Sequence, residues 1–565
     1  MSYQGAGKTS TLVETAKAFE MQNKQGLYLA FNNGIAEEVK NKIPRLTDEQ
    51  VKAVSLASNG NNMKLSAYAG AGKTSTLVEI AKMFEMQNKQ GLYLAFNNGI
   101  AEEAKNKMPR NVFSSTFHAL ALSQSPNWIR QKLNFSMMFP KEFADRYRLY
   151  DRQVRTDKEN FRTKKVKTSV SRLTVNSQKY YIDRAMSHFM KTASQYPQKR
   201  HMEHALEAHS NINSADIGYV ADLLTPVLQK LWEDYIDPNV GIRITHDCYL
   251  KLWAMNKPQL NVDFILFDEA QDADPIMYQI LINQQCQVIY VGDQFQQIYS
   301  WRGAVNMMQS LDKLDMQKTA ITRSFRFSPT LAAYANPVLE FLGAESDLQG
   351  LETLVTEIDL NNPTPMDMDV ILCRTNMTAI ELVFEYASYG KIGLLKNIEL
   401  DSTMKLLEKI DQFKNDSSTG NTHPILRWFQ DYDELLNYQT EYPSDRDILP
   451  TLKIYQNFGL QGSVDIIKKC ISAELKDEYD FVVTTAHRAK GLEFDKVLLA
   501  NDFEKQFESD GDITVESLQK TNLEEFRLLY VAITRAKKKL YASNITYLMD
   551  MITRANTGDD YDDYN

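Results

Sequence analysis

Apolar and polar positions alternate along the chain between short strand-like runs and longer helix-like ones. Met63-Lys-Leu-Ser-Ala-Tyr68 reads as a strand. Residues 75–86 place Leu77, Ile80, Ala81 and Phe84 at helical spacing. Gly91-Leu-Tyr-Leu-Ala-Phe-Asn-Asn98 reads as a strand and its exit, and Ser114-Ser-Thr-Phe-His118 ends another β-prone run. Val262-Asp-Phe-Ile-Leu-Phe267 is nearly continuous in apolar residues, the pattern of a strand buried on both faces of a parallel sheet. Gln287-Val-Ile-Tyr-Val291 is a second such run, and alternating strands and helices resume near 369–385 and 480–500. Residues 46–60 predict a short helix capped by Thr47 or Asp48. Residues 121–245 are mostly helical in pattern and strongly charged.

Composition changes this picture little. The chain has 565 residues, 43% hydrophobic and 24% charged, which predicts about three to four domains of ordinary globular type. Its cysteines, Cys248, Cys286, Cys373 and Cys470, are widely spaced and form no C-x-x-C pair, which fits a reducing cytoplasm or nucleus. No apolar run approaches the ~18 residues of a membrane span, and no apolar signal core stands at the N-terminus, so neither membrane nor secretion is expected. The net charge of −9 leaves nucleic acid open, because local patches decide that. One such patch, residues 141–180, holds twelve Lys/Arg against five Asp/Glu. It reads either as a solvated surface or as a contact for duplex phosphates. Residues 551–565 read as an acidic tail, disordered from Thr557 to Asn565. His201, His204 and His209 do not converge at helical spacing, so they read as a solvated face rather than a zinc site.

Chemistry enters with Ala67-Tyr-Ala-Gly-Ala-Gly-Lys-Thr74, a phosphate-binding loop between strand and helix. Ala69, Gly70, Ala71 and Gly72 let backbone N–H groups face a polyphosphate, Lys73 reaches its β- and γ-phosphates, and the Thr74 hydroxyl suits Mg²⁺. The loop occurs twice. Residues 3–45 repeat as 68–110 with five differences in 43 positions: Gln4/Ala69, Thr15/Ile80, Ala18/Met83, Val39/Ala104 and Ile43/Met108. Where the second copy has Ile80 and Met83, the first has Thr15 and Ala18, a loss of about 1–3 kcal/mol if the site is buried. Only Met1 to Tyr3 precede the first loop, so no strand leads into it. Residues 1–45 therefore read as a non-functional duplicated fragment, with a regulatory or structural role as the alternative.

Phe267-Asp-Glu-Ala-Gln-Asp272 puts Asp268 at the end of a buried strand, where an aspartate can hold magnesium, with Glu269 beside it to orient and activate a water. Val291-Gly-Asp-Gln-Phe-Gln-Gln-Ile-Tyr-Ser-Trp-Arg-Gly303 joins amides that can sense a γ-phosphate to aromatics that can stack on bases. Ser324-Phe-Arg-Phe327, Thr484-Thr-Ala-His-Arg-Ala-Lys-Gly-Leu-Glu-Phe494 and Tyr530-Val-Ala-Ile-Thr-Arg-Ala536 supply arginines suited to phosphoryl transfer, Arg326 and Arg535.

With Leu46-Thr-Asp-Glu-Gln-Val51, Ala95-Phe-Asn-Asn98 and Ser115-Thr-Phe-His118, these motifs resemble, in order and rough spacing over about residues 46–545, a superfamily 1 DNA helicase of the UvrD/Rep type. The likeness is greatest to the helicase portion of the F-box DNA helicases, through Thr245-His-Asp-Cys-Tyr-Leu-Lys-Leu252 and Ser324-Phe-Arg-Phe-Ser-Pro329. The resemblance implies an α/β fold of two RecA-like motor domains with parallel sheets and ATP between them. The first would comprise 46–120 plus 246–323, with a helical, basic insertion at 121–245. The second would comprise 324–385 plus 478–550, with a small, mixed insertion at 386–477.

The resemblance also implies roles. Gln50 would read adenine and Phe325 stack on it, with Ser75 standing where relatives carry an arginine. Gln296 and Arg326 would contact the γ-phosphate, Glu493 the ribose, and Arg535 would be the arginine finger. Phe96, Asn97, Thr116, Phe117, His118, Tyr299, Trp301, Arg302 and His487 would line the path of a single strand. Cofactors would be ATP and Mg²⁺. The implied activity is 3′-to-5′ movement on single-stranded DNA with unwinding at duplex junctions, in repair, recombination or replication. Recombinases and single-strand-binding proteins are candidate partners. The alternatives are a translocase that strips proteins from DNA with little unwinding, and a nucleotide-gated DNA-binding module without turnover. Because the Gln50 helix precedes Lys73 and not Lys8, the second loop is the one expected to work.

Overall fold

The computed structural model describes residues 46–558, except 97, 137, 160–165, 210–213, 300–305, 362–366, 397–399, 423–425, 427–428, 442–447 and 510. The duplicated fragment 1–45, Asn97, Trp301, Arg302 and the end of the acidic tail lie outside the described residues.

The chain divides into two compact units. One runs to Ala67 and resumes over Lys73–Ile321; the other joins Tyr68–Gly72 to the chain from Thr322 onward. The first unit opens with the helix Asp48–Ala57, and Thr47 is its cap. Thr47 Oγ1 accepts from Gln50 N at 3.2 Å, while Gln50 Oε1 accepts from Thr47 N at 3.0 Å. This reciprocal pair satisfies two N–H groups that a helix start leaves unpaired.

The strands of this unit are β1 (Met63–Ala67), β2 (Gly91–Ala95), β3 (Val112–Thr116), β4 (Arg152–Glu159), β5 (Val166–Leu173), β6 (Phe264–Phe267), β7 (Gln287–Gly292) and β8 (Gln317–Ile321). Six of them form one sheet in the order β3-β2-β6-β7-β1-β8, with every pairing parallel. Burial on both faces explains the near-continuous apolar sequence of central β6 and β7, whose residues are all buried. β4 and β5 form a separate antiparallel hairpin within the insertion, which had been expected to be helical. Its sequence mixes charged residues with β-branched ones and carries no apolar stripe at helical spacing.

The insertion is not a separate domain. Ile182, Phe189, Met202, Leu224 and Trp232 from its helices share one core with Leu92, Leu94, Ile265 and Phe267 of the sheet. The second unit repeats this plan. Its strands are β9 (Glu357–Asp359), β10 (Val370–Cys373), β11 (Gly393–Leu395), β12 (Phe481–Thr485), β13 (Phe494–Leu499) and β14 (Ala536–Tyr541). They run parallel in the order β11-β12-β10-β13-β14-β9.

Here four expectations are corrected. Residues 393–395 belong to the sheet, so the second insertion begins after Leu395 rather than at 386. Its named elements are helical rather than mixed: Asp401–Asn415, Tyr432–Glu441 and Leu449–Lys476, besides a 3₁₀ turn at Ser417–Thr422. Leu407, Ile410 and Phe413 pack in one core with Ile371 and Val483, which is why the chain forms two units and not three or four. The tail assigned to 551–565 begins later, because the final helix, Thr546–Thr557, continues to Gly558, which ends it with φ of 72°.

Candidate functional site

In an open parallel sheet, the side chains that meet a ligand stand beyond the carboxyl ends of the strands. The first unit follows this rule. The phosphate loop follows β1, Phe96 follows β2, Thr116 ends β3, Asp268 and Glu269 follow β6, and Asp293 follows β7.

Lys73 is the first residue of the helix Lys73–Met86, so the loop hands directly to a helix N-terminus, where anions are favoured. Ile80 and Met83 on that helix are buried, which meets the condition set for the second copy in the comparison of the repeats. Gly70 and Gly72 have φ of 72° and 79°, a region that L side chains rarely enter. Within the second unit, Gly70 O accepts from Phe325 N at 2.9 Å and Ala69 N donates to the Tyr530 hydroxyl at 3.1 Å. A Cβ at Gly70 would stand 2.3 Å from Ser324 Oγ.

Lys73 Nζ lies 3.0 Å from Glu269 Oε1 and 3.1 Å from Oε2. Burial pulls the ammonium pKa down, but the carboxylates of Glu269, Asp268 and Asp293 outweigh it and hold the pKa above the ordinary value. Asp268 is pushed up to about 6 by burial and by Glu269, against the pull of Lys73 and Tyr93. Asp293, equally buried, is pushed up to about 6. Three carboxylates thus face one ammonium in a partly buried site, a deficit of positive charge that a divalent cation would fill. Among the described residues no three His, Cys, Asp or Glu side chains form a metal cage. Mg²⁺ is commonly held by one or two protein oxygens, with substrate phosphates and water completing the shell. Asp268 and Thr74 are the residues suited to hold it.

Several residues outside the expected set build this site. The Tyr93 hydroxyl donates to Asp268 Oδ2 at 2.8 Å, and Asp268 Oδ1 accepts from Glu269 N at 2.8 Å. Burial and the Asp268 charge push the Tyr93 phenol pKa far above its usual range, so it remains a donor. Gln271 donates to Glu269 Oε2 and accepts from Asp293 N at 3.0 Å, tying the two acidic turns together. Gly292 permits this approach, since a Cβ there would lie 2.3 Å from Gln271 Oε1. Glu269 has φ of 54°, a left-handed conformation that costs of order 1–3 kcal/mol for a non-glycine residue and clusters at functional positions. Tyr93 reads in sequence as one more apolar strand residue; only the pairing of β2 with β6 sets it beside Asp268.

The remaining expected residues fall as follows. Gln50 is buried, and its amide donates to Thr76 Oγ1 at 3.2 Å. Thr74 is half-buried and Ser75 exposed. Gln296 donates to Asp293 Oδ2 at 2.7 Å. Phe96 and Tyr299 are half-buried, with rings parallel to within 2° and centroids 6.4 Å apart. Thr116 Oγ1 caps the following helix by accepting from Ala119 N. His118 Nε2 lies 3.3 Å from Asp247 Oδ1. Phe117 is a correction. It is fully buried edge-on against Phe267 in the core, because it opens a helix that packs on the sheet.

In the second unit, Arg326 Nε donates to Glu493 Oε2 and Nη1 to Thr534 O, each at 2.9 Å. Phe325 is exposed and His487 half-buried. Arg535 is buried, with Nε donating to Val531 O at 2.8 Å and Nη1 to Leu492 O at 3.1 Å.

Two family models match the chain: the UvrD/REP helicase N-terminal domain over residues 46–316, and the UvrD-like helicase C-terminal domain over residues 425–547. The chain is 29% identical over 532 residues to F-box DNA helicase 1 of Gallus gallus, covering 88% of this chain and 49% of that protein. It is 28% identical to F-box DNA helicase protein 1 of Schizosaccharomyces pombe, covering 88% and 57%. A probable DNA helicase of Mycoplasma pneumoniae is 25% identical, covering 88% of this chain and 83% of that one. The chain therefore spans about half the length of the F-box relatives it matches.

Proposed function

The chain belongs to the UvrD/Rep helicase family, and from that premise we propose that it is an ATP-dependent DNA helicase moving 3′-to-5′ on single-stranded DNA. The observation that carries the reading is the charged group at the strand ends of the first sheet: the half-buried pair Lys73 and Glu269, with buried Asp268 and Asp293 beside it. A single ammonium among three carboxylates is poised to exchange a protein ion pair for the phosphates of a nucleotide. Lys73 would leave Glu269 for the β- and γ-phosphates, which frees the Glu269 carboxylate to accept a proton from an attacking water. Magnesium, when bound through Thr74 and Asp268, would neutralise phosphate charge. Asp293 holds Gln296, which would sense the γ-phosphate. Arg326, Arg535, Glu493, Phe325 and Gln50 would serve the nucleotide in the roles the family resemblance implies.

On the DNA side, Phe96 and Tyr299 support a stacking role. Their rings are parallel with centroids 6.4 Å apart, and each offers a face on which a base can stack. Thr116, His118 and His487, with Trp301, Arg302 and Asn97, would complete the path.

Strand displacement on 3′- and 5′-tailed duplexes, with ATP hydrolysis measured alongside, tests the proposal. Displacement from 3′ tails is expected. Activity confined to 5′ tails would reject the polarity, and strong hydrolysis without displacement would favour a translocase that strips proteins from DNA.

A further inference from the structure

A second polar cluster lies where two insertion helices meet. The helix Val175–Lys191 brings His188, and the helix Lys199–His209 brings Arg200, His201 and His204. With Thr192 and Ser194 from the turn between them, these residues line a cavity of about 600 Å³. The sequence reading of His201 as part of a solvated face is corrected here, because His201 is buried; the side chain of His209 lies outside the described residues. The ring of His188 lies 3.9 Å from that of His204, centroid to centroid, and 5.7 Å from that of His201.

The hydrogen bonds fix what this cavity offers. His201 Nδ1 lies 2.8 Å from Gln198 N and 3.1 Å from Gln198 O, and its Nε2 lies 3.2 Å from Ser194 Oγ. Arg200 Nη2 donates to Ser194 Oγ at 2.6 Å, which sets the guanidinium beside the hydroxyl. His188 Nδ1 is buried without a hydrogen-bond partner. Among the described residues no carboxylate lines the cavity. The cavity therefore presents a guanidinium, hydroxyls and imidazoles, and the permanent charge among these groups is that of Arg200.

We propose that this cavity binds the phosphate of a phosphoester through Arg200, Ser194, His188 and His204. A guanidinium fork suits a tetrahedral oxyanion better than a point charge does. The volume is many times the ~30 Å³ share of a water molecule, so it accommodates a phosphate carrying a sugar. The source is either a nucleic-acid strand or a free nucleotide. Protonation supports the same reading. Burial holds His188 at about 4, and the next contributions come from His204, His201, Lys191 and Arg200, all bases. A bound phosphate would offset that repulsion, so binding should draw protons onto the imidazoles and tighten as pH falls. The inference stands on the cavity itself and does not require the motor reading.

The test uses the full chain labelled at histidine Cε1, whose eight histidines give a countable NMR spectrum. Sodium phosphate, thymidine 5′-monophosphate and a thymidine oligonucleotide are titrated against sodium chloride at matched ionic strength, at pH 6 and pH 7.5. His188→Gln and His204→Gln assign the two resonances, and melting temperatures report folding. Phosphate is expected to shift both resonances with a lower midpoint at pH 6, and Arg200→Ala should raise that midpoint by about tenfold. An oligonucleotide acting at far lower concentration than phosphate identifies a strand as the source. Response to phosphate and mononucleotide alone identifies a free phosphoester. Resonances that move no more than in chloride, or a midpoint indifferent to Arg200→Ala, would overturn the proposal; neither depends on the histidine variants folding.

Discussion

Tyr93→Phe removes one oxygen atom and should weaken the metal site without disturbing the fold. The ring remains to fill its place in the core, where Tyr93 is fully buried. What is lost is a 2.8 Å hydrogen bond to Asp268 Oδ2, in a site where Asp268 is 3% exposed and water cannot replace the donor. A hydrogen bond to a charged group contributes about 1.5–3 kcal/mol, and its loss leaves a buried carboxylate oxygen unsatisfied. Since 1.4 kcal/mol is a factor of ten, binding that requires ionised, oriented Asp268 should weaken by roughly 10- to 100-fold. Asp268 Oδ1 keeps its bond from Glu269 N, so the turn stays in place while the carboxylate loses one of its two anchors. The direct assay is Mn²⁺ binding in the presence of ADP, followed by electron paramagnetic resonance, beside the Mg²⁺ dependence of ATP hydrolysis. Tyr290→Phe is the control; it removes a buried hydroxyl from neighbouring β7, among Tyr278 and Cys286. A Tyr93→Phe protein whose Mn²⁺ affinity stays within twofold of the parent, or falls no further than that of Tyr290→Phe, would refute the reasoning.

Four further outcomes are expected. Lys73→Ala should abolish DNA-stimulated ATP hydrolysis and Lys8→Ala should leave it unchanged; loss of hydrolysis on changing Lys8 alone would reverse the choice of loop. Phe96→Ala and Tyr299→Ala should each weaken single-strand binding by about 1–3 kcal/mol in fluorescence anisotropy, with a double variant departing from additivity because the two rings are neighbours. Gly292→Ala should depress hydrolysis and lower the melting temperature, since its Cβ would force Gln271 away from Glu269 and Asp293; unaltered kinetics would show that Gln271 holds nothing needed. His201→Gln tests burial by pH: burial holds His201 at about 4, well below the ~6.5 of an unfolded chain. As pH falls from 6.5 to 4, the unfolded parent takes up a proton that the native state refuses, so the parent loses stability that the variant keeps. The melting temperature of the parent should drop relative to His201→Gln across that window, and a constant difference would mean that His201 titrates as if exposed.

The sequence by itself determined the two parallel-sheet units, because burial on both faces writes an apolar run into each central strand, as in Phe264–Phe267. It also determined the phosphate loop, whose letters are the chemistry: glycines for the left-handed turns, then Lys73 and Thr74. The preference for that loop over its duplicate rests on order along the chain, and the Lys73 and Lys8 variants test it. Where the sequence misled, a local pattern was judged without its neighbours. Phe117 sits within a polar motif and is core. The insertions read as domains and instead extend the cores of the sheets, since an amphipathic helix does not record which surface covers its apolar face. The hairpin of β4 and β5 has no apolar stripe of its own to announce it.

Tertiary structure alone decided the partners of the carboxylates at the strand ends. Tyr93 on β2 reaches Asp268 beyond β6 across 175 positions of sequence, and Gln271 joins Asp293 across 22. It likewise brought His188 onto His204 from a different helix, which no spacing within either helix encodes. Periodicity reports which face of an element is buried; it does not report what the buried group meets there. Side-chain chemistry at a site depends on the second of these, and only strand order and helix packing supply it.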